Sequence, residues 1–595
     1  MNKLFNKIAI AALCVVVLNS CAKKLDVIPP SNIAAENFWK TEKDAWLGLN
    51  ACYSQLIGFD GYIEMASDNA HSQKPWEGPF EAIQLNAISS ADDLGYSFTG
   101  VRLSNNFLEK VGSCHMDEAL RNRMKAEARF LRAFTYLRLT SFFGKVALIT
   151  TVLPFDAPPV PRTSVDSVQK FILNELAEVA DVLPQTYDGG YPQEKGRITR
   201  SGALALRARA ALYFGNFVEA EKSAALIISE KSDNHHDLFR VTTLNAAQQK
   251  EANEMDQYID FAARGIDKDK FVKGMFSYET LWHAANANPD NPEYVVTRGY
   301  IATEQQSDFQ RYTYMRPSQL VSGYSSLAPM QDLVDAYWDA DGKTIRPKIA
   351  PSTRAANLAA INQVVDGLGQ NDYIAKVPTM NLKNYSYIGE FRNRDSRLYA
   401  SILFPFKGWH ETDFPGSSFY FQWYSGLPAQ DDNEPTTGYS WRKITALTSS
   451  FSPYPGEGWA AEDFPTIRYA EVLLTFAEAH IQNVGWDAQV QSALNDLRDR
   501  CGMANVPTAM ASTQAALDFV RNERRIELAG EGNRYFDMRR YGGANCASVM
   551  NGTTYAPDGS PVVNKTWNDR LLLMPIPQHA IDLNPLLKGD QNSGY

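Results

Sequence analysis

The stretch Ser201–Glu230, "SGALALRARAALYFGNFVEAEKSAALIISE", decides the fold. Apolar residues return at helical spacing before and after Gly215, so the pattern predicts two helices meeting at that glycine. Ala220 falls where two closely packed helices need a small side chain. A related pattern returns at Ala470–Arg500, "AEVLLTFAEAHIQNVGWDAQVQSALNDLRDR", with Gly485 and Trp486 at its turn. Such paired helices bury their apolar faces by stacking on neighbours. A mostly α architecture follows.

Each of these two segments resembles a tetratricopeptide unit. Such units form scaffolds more often than binding grooves. Working outward, Glu36–Leu56 places Phe38, Ala45, Leu49, Tyr53 and Leu56 on one helical face. Asp117–Gly144 carries a stripe of Phe130, Ala133, Phe134 and Leu137 and stops at its glycine. Ser164–Pro184 starts from a serine cap and ends at proline. Helical periodicity assigns Trp39, Trp46 and Trp486 to the core.

From about Glu251 to Glu462 the pattern changes. Gly, Pro, Asn, Asp and aromatic residues dominate, and periodic stretches are short. "LVDAYWDADGK" predicts a short helix closed by an Asp-Gly turn, while "NPEYVVT" and "SSFYFQWYS" read as short strands. Long irregular connections are usually functional or disordered, and the aromatic content argues against disorder. The expectation is a loop-built surface mounted on a helical frame.

Glu523–Gly542, "ERRIELAGEGNRYFDMRRYG", concentrates arginines, acids and glycines. On one continuous helix Arg524 would face Glu527, Glu531 would face Arg534, and Asp537 would face Arg534 and Arg540. Gly530 and Gly532 favour a turn instead, with arginines reaching across it. Either way each charge has a candidate partner, so the stretch reads as frame rather than site. Ile526 and Leu528 mark the buried side before the turn; Tyr535, Phe536 and Met538 supply apolar contacts after it.

The 595 residues are 44% hydrophobic and 21% charged, an ordinary globular composition. A formal charge of −10 leaves no basic footprint for a nucleic acid, so no nucleic-acid partner is expected. The opening "MNKLFNKIAIAALCVVVLNSC" has Lys3 and Lys7 before an apolar run, Ile8 to Leu18, of secretory length. "LNSC" then reads as a bacterial lipobox, with Cys21 lipidated. Two or three acyl chains would anchor the protein stably outside the cytoplasm. Cys52, Cys114, Cys501 and Cys546 lack CxxC spacing, and their state is left open between free thiols and bridges.

In order along the chain, several segments together resemble the SusD/RagB family of outer-membrane nutrient-binding lipoproteins. They are "NFWKTEKDAWLGLNACY", "LSNNFLEKV", "AEARFLRAFTYLRLTSFFG", "LVDAYWDADGK", "RDSRLYASI", "IRYAEVLLTFAEA", "LNDLRDRCGM", "ERRIELAGEGNRYFDMRRYG" and "PIPQHAIDLNPLLKGDQNSGY". The resemblance implies a signal peptide at 1–20, a lipidated tether at 21–35 and a single SusD-like domain at 36–595. Within that domain it implies a helical part at 36–250, a loop-rich ligand-binding part at 251–462 and a helical part at 463–595. It further implies an outer-membrane, lipid-anchored protein facing the cell exterior. Its partner would be a SusC-like TonB-dependent transporter, and its ligand an oligosaccharide. Peptide binding on the same scaffold is the nearest alternative; a protein-interaction scaffold holding no small ligand is another.

Two carboxylates across a cleft suit glycoside hydrolysis, but the densest acids sit beside arginines, where ion pairing explains them. No G-x-S-x-G or HExxH motif occurs. Binding rather than catalysis is expected, without cofactor. The loop acids Asp290, Glu293, Asp431, Asp432 and Glu434 lack EF-hand spacing, so they read as solvated and no metal is expected. Aromatic rings suit the C–H faces of sugars, with polar groups at the rim. Trp76 lies in "SDNAHSQKPWEG" with Asp68, Asn69 and Gln73 nearby; Tyr96 and Phe98 lie in "DDLGYSFTG". Trp282, Tyr324, Trp409 and Trp423 stand in other irregular stretches. In the family, loops between early helices and the irregular middle build the ligand face. That implies Trp76, Tyr96, Trp282 and Tyr324 as ring contacts, with Asp68 and Asn69 as polar partners.

Overall fold

Most of the long helices start where a capping side chain meets an apolar stripe. Helix α1 (Glu42–Tyr53) opens with a capping box in which Thr41 and Asp44 satisfy each other's backbone amides. Helix α2 spans Thr99–Lys110. Helix α3 (Glu118–Phe143) is capped by Asp117 and ends at Gly144. Helices α4 (Val165–Ala180), α5 (Arg200–Tyr213) and α6 (Phe217–Ser229) take Ser164, Thr199 and Asn216 as caps. Between α5 and α6, Gly215 adopts a φ of +73°, a left-handed conformation that favours glycine. Later come α7 (Lys268–Glu279), α8 (Tyr469–Asn483), α9 (Ala488–Arg500), α10 (Thr513–Glu527) and α11 (Asn533–Arg540).

The structure is a computed structural model that describes residues 38–187, 194–283, 285–300, 314–320, 323–411, 418–424, 435–447 and 462–595. Cys21 lies outside the described residues, as do Asp431, Asp432 and Glu434.

Consecutive helices from α1 to α6 pack side by side, and α6 then packs on α8. The helical stack is therefore continued by a helix from the far side of the irregular region. Small residues set that junction: Ala220 of α6 meets Ala211 and Leu212 of α5 and Ala479 of α8, all fully or almost fully buried. Close approach of backbones needs such residues, because a larger side chain would hold the helices apart. One apolar cluster otherwise runs from Ala45 to Leu587, so the chain forms a single, mostly α domain.

Strands are short and pair two by two. Among the described residues, β1 (Ala70–Ser72) pairs with β3 (Leu327–Pro329), and β2 (Tyr294–Arg298) pairs with β8 (Phe464–Arg468). Likewise β4 (Ile402–Leu403) pairs with β7 (Ser440–Trp441), β5 (Gly408–Trp409) with β6 (Phe419–Tyr420), and β9 (Gly552–Tyr555) with β10 (Pro561–Lys565). All five ladders are antiparallel. The β1–β3 ladder ties an early loop to the irregular middle of the chain.

The Glu523–Gly542 stretch forms a turn, not a continuous helix. Helix α10 stops after Glu527, Gly530 and Gly532 take φ of +82° and +86°, and α11 follows. Arg524 reaches across the turn to Asp537 at 2.8 Å. The Asp537–Arg540 pair forms as expected at 2.9 Å. The Glu531 and Arg534 charges go elsewhere: Glu531 accepts from Arg468 and Lys443, and Arg534 binds Asp68. Glu527 takes Arg468 at 2.7 Å, Arg397 at 3.0 Å and also Arg500. Burial raises the Glu523 carboxyl, but Arg397 and Arg498 outweigh it and hold its pKa at about 2. Buried charges survive only when paired in this way.

The four cysteines of the described chain are free, buried thiols. Trp39, Trp46 and Trp486 are partly buried and pack against the core.

Candidate functional site

Trp76 is 76% exposed, far more than any other tryptophan of the described chain. It sits in a single 3-10 turn, Pro75–Glu77, directly after β1. That turn is fastened from several sides. The Gln73 amide donates to the Ser326 carbonyl at 3.1 Å, which extends the β1–β3 pairing. Glu77 accepts from the Ser72 hydroxyl at 2.9 Å and from the Ser326 hydroxyl. The Thr436 amide donates to the Gln73 side chain at 3.1 Å. Lys74 places its ammonium 5.6 Å from the indole centroid. The ring is thus presented to solvent by a braced turn rather than a loose one, which limits the entropy lost on binding.

Tyr324 lies half-buried just before β3, on the segment that pairs with the Trp76 turn. Tyr314 belongs to the same neighbourhood: burial raises its phenol, and Glu77 and Tyr324 add to the effect. Its ring meets Tyr62 edge-on at 6.3 Å. Burial also raises the Glu77 carboxyl against the lowering effect of its serine hydrogen bonds. Tyr62, Gln73, Lys74, Trp76, Glu77, Tyr314, Tyr324 and Thr436 therefore share one neighbourhood, which Ser325 and Ser326 line from the buried side. Sequence reasoning named Trp76, Gln73 and Tyr324 there, and missed Tyr62, Tyr314 and Glu77. The "PWEG" turn was the available signal for Glu77, since a proline at its first position fixes the backbone.

The other residues expected at the ligand face are buried. Trp282 is 1% exposed; its ring packs on Phe464 at 5.2 Å, and Lys443 lies 5.3 Å over it. Tyr96 is pinned edge-on between Phe98 and Phe143 at 5.5 and 4.9 Å. Trp409 and Trp423 are also buried. None of these rings presents a face to solvent, because irregular backbone there still encloses core. Asp68 binds Arg534 through both oxygens at 2.7 and 3.0 Å and meets Arg525 at 2.9 Å. Burial raises its carboxyl, and the two arginines overcome that and hold it well below the usual carboxylate range. Asn69 donates to Glu64 at 2.6 Å and accepts from Arg525 at 2.7 Å. Both are fully committed inside, beneath β1, and offer nothing to a ligand directly.

Of the loop acids, Glu293 is buried against Arg468 and Arg500, at 2.7 and 3.0 Å. Asp290 pairs with Lys195 in solvent. A separate concavity between α3, α5 and α11 is lined by Arg138, Arg209, Tyr213 and Asn533. Arg138 and Arg209 are already engaged by Asp60 and Glu471. No helix of the described residues is long and apolar enough to cross a membrane.

Comparison with known proteins agrees with this architecture. Residues 57–212 match the family described as starch-binding associating with outer membrane. SusD-like protein P38 of Formosa agariphila is 24% identical, with both chains covered completely. A SusD-like protein from Bacteroides fragilis superposes with a TM-score of 0.72 at 24% identity, over 95% of this chain and 99% of the other. A SusD-like carbohydrate-binding protein from the same species gives 0.69 at 21% identity, over 92% and 99%. The SusD family model itself matches residues 292–595, half of the molecule, including the turn that anchors β1; the chain belongs to the SusD family.

Proposed function

We propose that the protein binds oligosaccharides at the surface carrying Trp76 and Tyr324 and delivers them to a SusC-like TonB-dependent outer-membrane transporter. Cleavage of residues 1–20 and lipidation of Cys21 would tether it to the outer membrane, facing outward. The single observation that carries the reading is the Trp76 indole, 76% exposed on a turn fixed by hydrogen bonds. A flat, exposed indole, with the Lys74 ammonium beside it and the half-buried Tyr324 on the paired segment, suits the apolar faces and polar rims of sugar rings. Carbohydrate binding by a relative of the same fold supports the substrate class.

Binding rather than catalysis is proposed. Glu77, the half-buried carboxylate that closes the turn after Trp76, already accepts from two serine hydroxyls.

The test is titration of the purified chain with a panel of oligosaccharides, for wild type and Trp76→Ala. Loss of one stacking ring should weaken the best ligand by roughly tenfold, about 1.4 kcal/mol. Equal affinity in the two proteins would remove Trp76 from the site. Binding of peptides but of no oligosaccharide would replace the substrate class.

A further inference from the structure

Away from the Trp76 surface, one group of side chains among the described residues has the composition of a metal centre. Glu279 ends α7, His283 follows it by one helical turn, and Glu411 arrives just after β5. Their ligand atoms all lie within 4.8 Å of one another. His283 Nε2 stands 3.7 Å from Glu411 Oε1 and 3.9 Å from Glu279 Oε1. Those distances are too long for hydrogen bonds. Bonds of about 2.1 Å at a tetrahedral angle would put neighbouring ligand atoms roughly 3.4 Å apart, so the two histidine distances would close by about 0.3 and 0.5 Å and the Glu279–Glu411 pair from no more than 4.8 Å.

Two further observations point to a ligand at this spot. His283 Nε2 and Glu411 Oε1 are both buried atoms with no hydrogen-bond partner. They face each other, and a cation between them would satisfy both. The neighbouring carboxylates already have partners: Glu251 pairs with Lys407 and Arg442, Glu279 with Arg442, and Glu254 with His410. Among the described residues, Glu411 has an ion-pair partner only in His283, 3.7 Å away. A buried carboxylate without a close cation is costly, and a metal ion would supply one.

The outer contacts are those a metal site uses to hold its ligands. Glu279 Oε1 accepts from Trp409 Nε1 at 2.8 Å and Arg442 Nε at 3.0 Å. Glu411 Oε2 accepts from the Leu447 amide at 3.1 Å. An imidazole nitrogen with carboxylate oxygens suits zinc-like ions and disfavours calcium, which takes oxygen ligands.

The geometry points to a divalent transition-metal site formed by Glu279, His283 and Glu411, of the class that binds Zn2+. It would lock the segment after β5 onto the end of α7.

The experiment uses the untagged mature chain, stripped with a chelator and reloaded with Zn2+, Ca2+ or Co2+. Elemental analysis should give about one Zn2+ per chain and no retained Ca2+. Thermal melting should shift upward with Zn2+, because a ligand that binds only the native state stabilises it. His283→Gln and Glu411→Gln should each lose the bound zinc and the shift while folding normally without metal. Bound Co2+ should show a nitrogen–oxygen spectrum with no thiolate band. Failure of the wild type to retain zinc would overturn the site and leave His283 as an ion-pair partner only. Zinc retained equally by both variants, or a thiolate band, would place the metal elsewhere.

Discussion

Arg525 donates its Nε proton to the Asn69 side-chain amide oxygen at 2.7 Å, joining residues 456 positions apart. Arg534, from the same arginine-rich turn, grips Asp68 beside it. The turn that looks most like an active site is thus the foundation of β1, whose far end carries Trp76. Frame and proposed site are coupled through this one contact layer.

Asp68→Asn should therefore destabilise the fold strongly. It leaves two buried guanidinium groups without their carboxylate, a change that costs about 3–5 kcal/mol. The wild-type contribution is pH-dependent with a definite sign. The native carboxyl is depressed, so its stabilisation is present above the unfolded value of 3.8 and is lost as pH falls through the lower native value. Denaturant melts of both proteins should differ by this amount near neutrality and converge in acid. A constant difference down to low pH would contradict the assignment.

Trp282→Ala should behave as the opposite of a site mutation. A fully buried tryptophan truncated to alanine costs about 3–5 kcal/mol, and Lys443 and Phe464 lose the ring they pack on. Oligosaccharide affinity of the folded fraction should stay within about twofold, under 0.5 kcal/mol. Tyr324→Ala should reverse the pattern, with small loss of stability and measurable loss of affinity. Calorimetric titration beside thermal melting separates the two.

The helical stack was legible because a 3.6-residue period and glycine turns are local signals, as Gly215 and Ala220 illustrate. Partner choice was not. The spacing rule for a helix face pairs Glu531 with Arg534, yet Glu531 takes Lys443 and Arg468. Asp68 and Asn69 are polar and sit in a polar stretch, but distant arginines offset the cost of burying them. Trp282 stands among asparagines, and its core neighbours Phe464 and Lys443 come from far along the chain. Trp76 was readable because its context is a proline turn with no periodic face to bury it.

Gly532→Ala should be among the most damaging single-methyl changes in the molecule. The residue has φ +86°, and an added Cβ would fall 2.3 Å from the Asp60 carbonyl oxygen. A left-handed alanine alone costs about 1–2 kcal/mol, and the collision adds to it by pushing residues 60–63 away from the turn. Gly215→Ala shares the positive φ but meets open space. It should show only the conformational cost. Urea midpoints of the two variants should differ clearly; equal midpoints would mean that the backbone at Asp60 yields freely.

His480 makes the helical stack sensitive to pH. Its Nδ1 lies 2.7 Å from Glu221 of α6 and its Nε2 lies 3.1 Å from Asp487 at the start of α9. Burial works against the charged ring, but the hydrogen bonds to Glu221 and Asp487 prevail and raise its pKa above 6.5. A carboxylate on each nitrogen requires both to carry protons, so the imidazolium is the form that joins α6, α8 and α9. Because the native value is raised, its stabilisation is complete below the unfolded value and declines as pH rises through the native one. His480→Gln removes that dependence while keeping a side chain that bonds to one carboxylate. The gap in melting temperature between wild type and variant should be widest below the unfolded value of 6.5 and should narrow as pH rises through the higher native value. A gap that widens with rising pH would show that the neutral ring is the stabilising form and would reverse the sign of the linkage.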